Sequence, residues 1–451
     1  MNSPSTRFLP LLPWLGLVSL VAALDVFATA TPAAPATPPV AHQAPAAPAL
    51  VITPADADGI YPLGARVGWS VRAPEGWGQP LKYTLKKNHL DVVQSGVLAF
   101  EGGVADVGAT LEEPGMLYLE VLPEGGVPEQ RRFAAAAVAP EQLQPVETRP
   151  ADFDAFWAAK IGELHATPAE PVLTPGESGR EGVDYTTLVM KHVGGVRIYG
   201  QLAKPAREGK FPALLLLQWA GGPYPLEKAW VTDRAAEGFL ALNVMPHDVP
   251  ADLPPAFYQA LPQLIRSYNT IYDEDRDRNY FLQMYLAAYR AADYLTERPD
   301  WDGRVLVVTG TSMGGQQSFA VAGLHPRVTH MVVHVPAGAD ALGALHGRLS
   351  GYPFWDVKRP RVVDTAPYFD AINFASRIRA TCLVSMGFLD EVCPPVGIWT
   401  AFNQIPGRKL AVPLVDSAHN HQSPPEVQVA YTDRAAAWLR QLGAGAEPEL
   451  R

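Results

Sequence analysis

The sequence predicts an α/β protein with a buried, mostly parallel β-sheet, preceded by a small β-sandwich. From residue 152 onward, continuous apolar segments alternate with segments of helical periodicity. Strands that are apolar throughout are typical of a parallel sheet buried on both faces. Between residues 51 and 138, short alternating or β-branched segments are separated by turn signals, and this spacing favours a sandwich of two sheets.

The composition is that of a globular protein and argues against nucleic acid as a partner. The chain has 451 residues, of which 48% are hydrophobic and 18% are charged. This length suggests two or three domains. The formal net charge is -10, and no basic run occurs anywhere in the sequence. A surface of this charge repels phosphate backbones.

The first 50 residues predict export. Residues 1–30 have the pattern of a secretory signal peptide, with Arg7 as the only charge of the n-region, an apolar core and an A-x-A cleavage site at 28–30. The alternative is an uncleaved membrane anchor, against which two early prolines and the short apolar core argue. Residues 31–50 form an Ala/Pro tract that predicts a semi-rigid linker. We therefore expect a periplasmic or extracellular protein without a stable membrane span.

The region 51–140 is predicted to be the β-sandwich domain. Its clearest strands lie at 65–71, 81–85 and 116–122. The domain is expected either to bind glycans or to serve as a packing module, and the second interpretation is favoured. Three aromatic residues are candidates for stacking on a glycan or for the domain core: Trp69, Trp77 and Tyr83.

The region 150–445 is predicted to be one α/β catalytic domain. A helix is expected to begin near Asp152, where Pro150 and acidic residues mark its first turn. The clearest strands lie at 213–217, 239–244, 305–308, 331–335 and 381–386. Further helices are predicted at 226–237, 280–297, 316–324, 396–404 and 425–442. Roughly 300 residues of this pattern can bury a large core.

Ser312 stands in a glycine-rich turn between a short apolar strand and a helix of small residues. The turn reads Gly310-Thr-Ser-Met-Gly314, a G-x-S-x-G pattern. In a nucleophile elbow the serine has a strained backbone, and side chains two positions away would collide unless they are glycine. This context predicts that Ser312 is a nucleophile. The alternative is an ordinary glycine-rich turn with an inert serine.

A serine nucleophile needs a base, and the base needs an acid to orient it. In α/β-hydrolases the acid and then the base follow the serine along the chain, each on a loop after a strand. Asp390 is the predicted acid, with Glu391 and Asp416 as weaker candidates. His419 is the predicted base, and His421 is the alternative. Together these residues predict an α/β-hydrolase.

The oxyanion hole is predicted to use the backbone N–H groups of Met313 and Ala220. The residue after the nucleophile usually provides one donor, and a loop after an earlier strand provides the other. Here that loop is the glycine-containing segment 218–224. Three aromatic residues are candidates for stacking on a sugar ring or for packing: Trp219, Tyr224 and Trp355.

The two cysteines are expected to be free thiols. Cys382 lies on a predicted strand, and Cys393 lies beyond it on the loop 387–395 that carries Asp390, which we call the acid loop. An exported protein can form disulfides, but here the strand carries the two residues apart.

Three segments carry a resemblance to a known family. They are RPDWDGRVLVVTGTSMGG at 298–315, YFDAINFASRIR at 368–379 and SMGFLDEVCPP at 385–395. The chain from residue 152 onward resembles the acetyl xylan esterase and cephalosporin C deacetylase family, and the third segment is the most specific part. By this resemblance the family's nucleophile falls on Ser312, its acid on Asp390 and its base on His419.

The resemblance implies an α/β-hydrolase that removes acetyl or other small acyl groups from sugar hydroxyls or cephalosporins, without a metal or a cofactor. Acetylated xylo-oligosaccharides are the expected partners, and family members usually form hexamers. The chain departs from the family at Met313, at 218–220, at 245–247 and at Asn420. These departures leave the natural ester and the oligomeric state open.

The expected mechanism is acyl transfer in two steps through an acetyl-enzyme. Two other functions stay open. A peptidase of the prolyl oligopeptidase type shares the elbow and the chain order, but it normally carries a propeller that region 51–140 is too small to form. A non-catalytic glycan-binding protein on the same fold would carry an inert Ser312, and the complete set of three residues argues against it.

Overall fold

The computed structural model describes residues 50–127 and 130–450. The predicted signal peptide and all of the predicted linker except Leu50 lie outside the described residues. Those that are described belong to one compact unit. Within them, no helix is long and apolar enough to cross a lipid bilayer.

The described residues between 51 and 138 form two β-sheets, which we call the β-domain. The strands are β1 Val51–Pro54, β2 Ile60–Tyr61, β3 Arg66–Arg72, β4 Leu81–Lys87, β5 Asp91–Val97, β6 Val104–Thr110, β7 Gly115–Pro123 and β8 Arg132–Val138. One sheet has the order β1-β3-β6, and the other has the order β2-β8-β7-β4-β5. Apolar side chains of both sheets meet in one core, which includes Val67, Trp69 and Leu119. The predicted β-sandwich is therefore present.

Of the three aromatic residues considered for glycan stacking in this domain, Trp69 is buried in the core. Trp77 is exposed and Tyr83 is half-buried. Trp69 is therefore a packing residue, because a ring enclosed between two sheets presents no face to a ligand.

The other strands form one nine-stranded sheet. They are β9 Val172–Gly176, β10 Val183–Lys191, β11 Arg197–Pro205, β12 Phe211–Leu217, β13 Leu240–Val244, β14 Trp301–Thr311, β15 His330–His334, β16 Thr381–Gly387 and β17 Lys409–Leu414. The order is β17-β16-β15-β14-β12-β13-β11-β10-β9. Strands β12 to β17 pair in parallel, as predicted, and β9 to β11 add an antiparallel edge.

Helices cover both faces of this sheet. They are α1 Phe153–His165, α2 Ala229–Ala236, α3 Pro255–Gln259, α4 Gln263–Arg266, α5 Tyr280–Glu297, α6 Met313–Leu324, α7 Pro360–Thr365, α8 Ala371–Ala375, α9 Pro395–Gln404 and α10 Val429–Gly443. Helices α2 and α10 pack on one face, against residues such as Leu214 and Val307. Helices α5, α6, α8 and α9 pack on the other face, against neighbours such as Leu215 and Val308. Successive side chains of a strand point to opposite faces, so apolar residues at every position allow both layers to form.

Several element boundaries differ from the predictions: β14 spans Trp301–Thr311 rather than 305–308, and α6 begins at Met313 rather than at residue 316. Helix α5 has the predicted bounds, whereas α10 begins at Val429 because a 3-10 turn, Pro425–Gln428, precedes it. The antiparallel strands β9 to β11 were not predicted. Strand β10 alternates buried and exposed residues, so it lacks the continuous apolar signal of the central strands.

Candidate active site

Ser312 lies between β14 and α6 with a backbone conformation that is rare for residues other than glycine. Its φ is 55° and its ψ is −119°. A Cβ at Gly310 would lie 2.4 Å from the carbonyl carbon of Gly314, and a Cβ at Gly314 would lie 2.2 Å from the carbonyl oxygen of Leu217. No side chain fits at either position. The segment therefore has the geometry of a nucleophile elbow.

The structure brings Ser312, His419 and Asp390 together at the carboxyl ends of parallel strands β14, β17 and β16. His419 Nε2 is 3.1 Å from Ser312 Oγ, and His419 Nδ1 is 2.7 Å from Asp390 Oδ2. All three side chains are buried, and Asp390 is 0% exposed. Since an ionised carboxylate only accepts hydrogen bonds, Nδ1 of the imidazole carries the proton and Nε2 accepts from the serine hydroxyl.

The loop after β16 is shaped to hold the Asp390 carboxylate. Asp390 Oδ1 accepts hydrogen bonds from the backbone N–H groups of Val392, at 2.8 Å, and Cys393, at 2.7 Å. A Cβ at Gly387 would lie 2.6 Å from the carbonyl oxygen of Ser417, so glycine allows the loop to approach the segment before His419. Each oxygen of the buried carboxylate is therefore paired, one with the backbone and one with the imidazole.

The weaker candidates for acid and base lie on the surface. Glu391 and Asp416 are exposed, and Glu391 Oε1 lies 3.6 Å from His89 Nδ1. His421 is exposed, with its ring centroid 5.3 Å from that of His419. In this arrangement only Asp390, among the three acids considered, contacts His419.

The predicted oxyanion loop lies directly beside the elbow. Gly314 packs against the end of β12, and Gln317 Nε2 donates to the carbonyl oxygen of Gln218, at 3.0 Å. Met313 is the first residue of α6, so its N–H belongs to the helix turn that has no intrahelical acceptor. Ala220 is partly buried and packs in the same cluster as Met313. The two predicted donors therefore come from neighbouring segments.

The aromatic residues considered for sugar stacking are placed differently. Trp219 is 42% exposed and stacks on Tyr224, with ring centroids 5.4 Å apart. The Tyr224 hydroxyl donates to the carbonyl oxygen of Trp219, at 2.9 Å, so it closes the loop on itself. Trp355, in contrast, is buried against Phe281 and Phe369. Stacking of Trp355 on a sugar is therefore ruled out, because its ring belongs to the core.

Two tyrosines that the sequence did not indicate surround the side chain of Met313. The Tyr352 hydroxyl donates to the Tyr268 oxygen, at 2.7 Å, and the Tyr268 hydroxyl donates to Met313 Sδ, at 3.0 Å. Burial raises the pKa of Tyr268 to about 12, so it stays protonated and able to donate. Both tyrosines lie in segments without a recognisable pattern, and only their contacts link them to the site.

The thiol of Cys393 lies close to the hydroxyl of Ser312. Its Sγ lies 3.9 Å from Ser312 Oγ, and the residue is buried. Neither Cys393 nor Cys382 forms a disulfide, as expected. Burial, and then the charge of Asp390, raise the pKa of the Cys393 thiol well above its usual value, so it is protonated.

Asp390, Cys393 and His419 each place one potential metal-donor atom within 4.8 Å of the others. However, both imidazole nitrogens of His419 are already hydrogen-bonded, Nδ1 to Asp390 Oδ2 and Nε2 to Ser312 Oγ. The contacts therefore fit a hydrogen-bonded acid–base pair better than a metal centre.

The chain matches the acetyl xylan esterase (AXE1) family over residues 140–233 and 269–442. The acetyl esterase Axe7A of Xylanibacter ruminicola is 32% identical over 377 residues, which cover 80% of this chain and 85% of the relative. The crystal structure of acetyl xylan esterase 1 from Thermoanaerobacterium sp. JW/SL YS485 has a TM-score of 0.57 at 24% identity, covering 67% of this chain and 97% of that chain. The acetyl xylan esterase from Paenibacillus sp. R4 has the same score and identity, over 66% and 98%. The two solved structures share the fold, and the chain belongs to the acetyl xylan esterase family of serine ester hydrolases.

Proposed function

We propose that Ser312, His419 and Asp390 are the nucleophile, base and acid of an acetyl esterase. The observation that supports this most directly is the continuous pair of hydrogen bonds, 3.1 Å from Ser312 to His419 and 2.7 Å from His419 to Asp390, at a strained strand-to-helix turn. A serine hydroxyl is a weak nucleophile near neutral pH. An oriented imidazole makes its oxygen more nucleophilic by accepting the hydroxyl proton during the attack.

In the first step, Ser312 Oγ attacks the carbonyl carbon of the ester while His419 Nε2 takes the hydroxyl proton. The C–O bond to the sugar then breaks, and the imidazolium returns the proton to the sugar oxygen, which leaves as a hydroxyl. In the second step, water attacks the acetyl carbon while His419 takes one proton from the water. The bond from that carbon to Ser312 Oγ then breaks, and the imidazolium returns the proton to Oγ, which releases acetic acid and restores the serine. Asp390 holds the imidazole in the required tautomer and stabilises its charged form.

The negative charge on the ester oxygen is proposed to be stabilised by the N–H groups of Met313 and Ala220. Loss of one such donor typically costs about 2.7–4 kcal/mol in the transition state. The Tyr352–Tyr268–Met313 contacts support this role, since they fix the side chain of the residue whose amide is used. Gln317 helps to fix the 218–224 loop, which contains Ala220, because its side-chain amide donates a hydrogen bond to the carbonyl oxygen of Gln218.

The proposed substrate is an acetylated xylan or xylo-oligosaccharide. Family membership and the names of the relatives support the acetyl group and the sugar. The exposed Trp219 ring, fixed by Tyr224, provides a flat apolar surface next to the proposed oxyanion donor Ala220. Sugar rings present apolar C–H faces that aromatic side chains can cover. We therefore assign Trp219 to substrate binding and Tyr224 to the support of its loop.

The test measures acetate release from acetylated xylo-oligosaccharides by the wild type and by Ser312→Ala. Ser376→Ala is the control, because Ser376 is exposed and far from the elbow in the chain. We expect release by the wild type and the control, and a loss of at least ~10³-fold in Ser312→Ala. Release by Ser312→Ala at the wild-type rate would refute the assignment. Binding of the oligosaccharide without release by any of the three proteins would point to a glycan-binding protein, and cleavage of proline peptides would point to a peptidase.

The same assay tests the role of Trp219. We expect Trp219→Ala to raise KM for acetylated xylo-oligosaccharides, with little change for p-nitrophenyl acetate, which lacks a sugar. Equal changes for both esters would show that the ring supports the loop rather than the sugar.

We also propose that the protein is exported to the periplasm or beyond. The apolar segment and A-x-A site within residues 1–30 support this, together with a polymeric substrate that lies outside the cell. Amino-terminal sequencing of the protein from the periplasm and the medium of its host tests the proposal. A mature protein that still begins at Met1 would contradict it.

A further inference from the structure

We propose that the β-domain is a positioning element of the active site, because it holds together the two loops that carry Asp390 and His419. The inference rests on the roles proposed above for these two residues. The family match begins at residue 140, directly after the β-domain, so family membership assigns this domain no role. Its contacts with the catalytic loops support the assignment.

The first contact is made by Gly59, in the turn between β1 and β2. A Cβ at Gly59 would lie 3.2 Å from the Phe388 ring and 3.1 Å from a methyl group of Val415. Phe388 is two residues before Asp390, and Val415 is four residues before His419. We call the segment 415–419, which follows β17 and ends at His419, the base loop. The backbone of Gly59 therefore packs at the point where the acid loop and the base loop meet. Its φ of +62° also favours glycine.

The second contact is made by Tyr118, on strand β7. Its ring is buried in the same apolar cluster as Phe388, Cys393 and Val396, residues of the acid loop and of helix α9. Strand β7 also packs directly against helix α9, which begins where the acid loop ends. Burial, and then the charges of Asp390 and Glu391, raise the pKa of Tyr118. A side chain of the β-domain thus belongs to the apolar core that also contains residues of the acid loop.

His89 supports Tyr118 from the other side. Its imidazole stacks on the Tyr118 ring with centroids 3.4 Å apart, and Nδ1 lies 3.6 Å from Glu391 Oε1. Asn88 and His89 both have positive φ, and Asn88 accepts a hydrogen bond from the N–H of Met116, at 3.0 Å. The β4–β5 turn is therefore fixed to β7 in a strained conformation that holds the imidazole against the ring.

These contacts bear on catalysis because the hydrogen bonds of the site depend on small distances. The acid loop and the base loop must keep Asp390 Oδ2 and His419 Nδ1 2.7 Å apart. Displacements well below 1 Å are enough to weaken such a bond, and misplacement by about 1 Å can cost on the order of 10²-fold in rate. A Cβ added at Gly59 would push the two loops apart, and removal of the Tyr118 ring would leave a cavity into which the acid loop could move.

The experiment compares Gly59→Ala with Gly102→Ala. Both glycines lie in turns of the β-domain, with φ of +62° and +58°, and a Cβ at Gly102 would meet nothing within 4 Å. The two variants therefore share the backbone strain and differ in the contact with Phe388 and Val415. Hydrolysis of p-nitrophenyl acetate is measured as a function of pH, with folded enzyme counted by complete phosphonylation of Ser312.

We expect Gly59→Ala to lower kcat about 10-fold per active site, with KM nearly unchanged, and to move the acid limb of the kcat/KM profile to lower pH. That limb reports the titration of His419, whose charged form is stabilised less when Asp390 moves away. Gly102→Ala is expected to match the wild type in both respects. A Gly59→Ala variant with wild-type kcat and an unmoved acid limb would overturn the proposal, even if it unfolds at a lower temperature.

A second pair of variants covers the case in which Gly59→Ala does not fold. Tyr118→Phe keeps the ring and is expected to retain wild-type kcat, because the Tyr118 hydroxyl has no hydrogen-bond partner within the described structure. Tyr118→Ala removes the ring and is expected to show the same lowered kcat and shifted limb. Equal activity and equal pH profiles for the two variants would also overturn the proposal. Asp390→Asn in the same assay separates this outcome from failure of the triad, since only an incorrect triad leaves that variant active.

Discussion

The carboxylate of Asp390 is held by hydrogen bonds at both of its oxygens. One carboxylate oxygen accepts from two backbone N–H groups, of Val392 and Cys393, and the other accepts from His419. The carboxylate is 0% exposed, so no water replaces a lost partner. A backbone N–H group can only donate, so any side chain at position 390 must turn an acceptor toward these two groups. This restricts which substitutions preserve the imidazole tautomer.

We expect Asp390→Asn to fold normally and to lose roughly 10⁴-fold in kcat. The asparagine oxygen must face the two backbone donors, so its NH2 group faces His419 and requires Nδ1 to be an acceptor. The imidazole proton then moves to Nε2, which can no longer accept from Ser312. The measurement is kcat for p-nitrophenyl acetate together with the thermal unfolding temperature. Asp416→Asn, an exposed neighbour of the base loop, is the control, and near-full activity of Asp390→Asn would reassign the acid.

At the scale of elements, the β14–α6 turn depends on close packing between three pieces of backbone. Gly310 lies against Gly314, Gly314 lies against the end of β12, and Gly315 lies against Pro336, where a Cβ would be 2.7 Å from the proline Cβ. Glycine at these positions lets α6 begin directly beneath the sheet edge. The result is a serine lifted above the sheet, next to the loop that follows β12.

Gly314→Ala is expected to lower kcat/KM by at least ~10² and to destabilise the protein, because its Cβ would lie 2.2 Å from the Leu217 carbonyl oxygen and would push the 218–224 loop away. The matched control is Gly162→Ala, in helix α1, where a Cβ would meet nothing within 4 Å. That change is expected to be neutral or to stabilise by ~0.5–1 kcal/mol. Kinetics with p-nitrophenyl acetate and urea unfolding check both variants. Wild-type kinetics for Gly314→Ala would contradict this account of the elbow.

At the scale of the whole molecule, the chain buries several histidines in their neutral form. Burial lowers the pKa of His192, His334 and His89 to about 4 and that of His247 to about 3. Their hydrogen bonds suit a neutral ring, as where His192 Nε2–H donates to the Gln283 carbonyl and His334 contacts Ser385 and Gln428. In the unfolded chain these groups bind protons near pH 6.5, so the unfolded state takes up more protons as the pH falls.

The free energy of unfolding is therefore expected to fall between pH 7 and pH 5. A lowered histidine pKa contributes stability that is present above pH 6.5 and is lost as the pH drops toward 4, by roughly 1–2 kcal/mol per group at pH 5. Asp370 acts in the opposite direction, because burial raises its pKa to about 7 and the fold then gains stability as the pH falls through 7. Four histidines outweigh this one carboxyl. Urea unfolding followed by tryptophan fluorescence at the two pH values checks the sign, and an equal or higher midpoint at pH 5 would contradict it.

Local sequence determined the class of the fold and the identity of the candidate triad. Segments such as Leu214–Leu217 have apolar residues at every position, which suits only a strand buried on both faces. The elbow could be predicted from the sequence because close backbone packing restricts the positions two residues before and after Ser312 to glycine. Asp390 and His419 could be predicted because parallel strands of one sheet bring the loops at their carboxyl ends to one edge. In each case the physical constraint acts over a few neighbouring residues and leaves a pattern in the chain.

Only the tertiary structure decided the contacts that join distant segments. Trp355, a candidate for sugar stacking from the sequence, is a core residue, and Tyr268 and Tyr352 converge on Met313 from separate loops. The contact of Gly59 and Tyr118 with the acid loop joins residues more than 250 positions apart. Burial and packing of this kind depend on the position of every other element. A single sequence records the residue type at each position but not which distant residue it will meet.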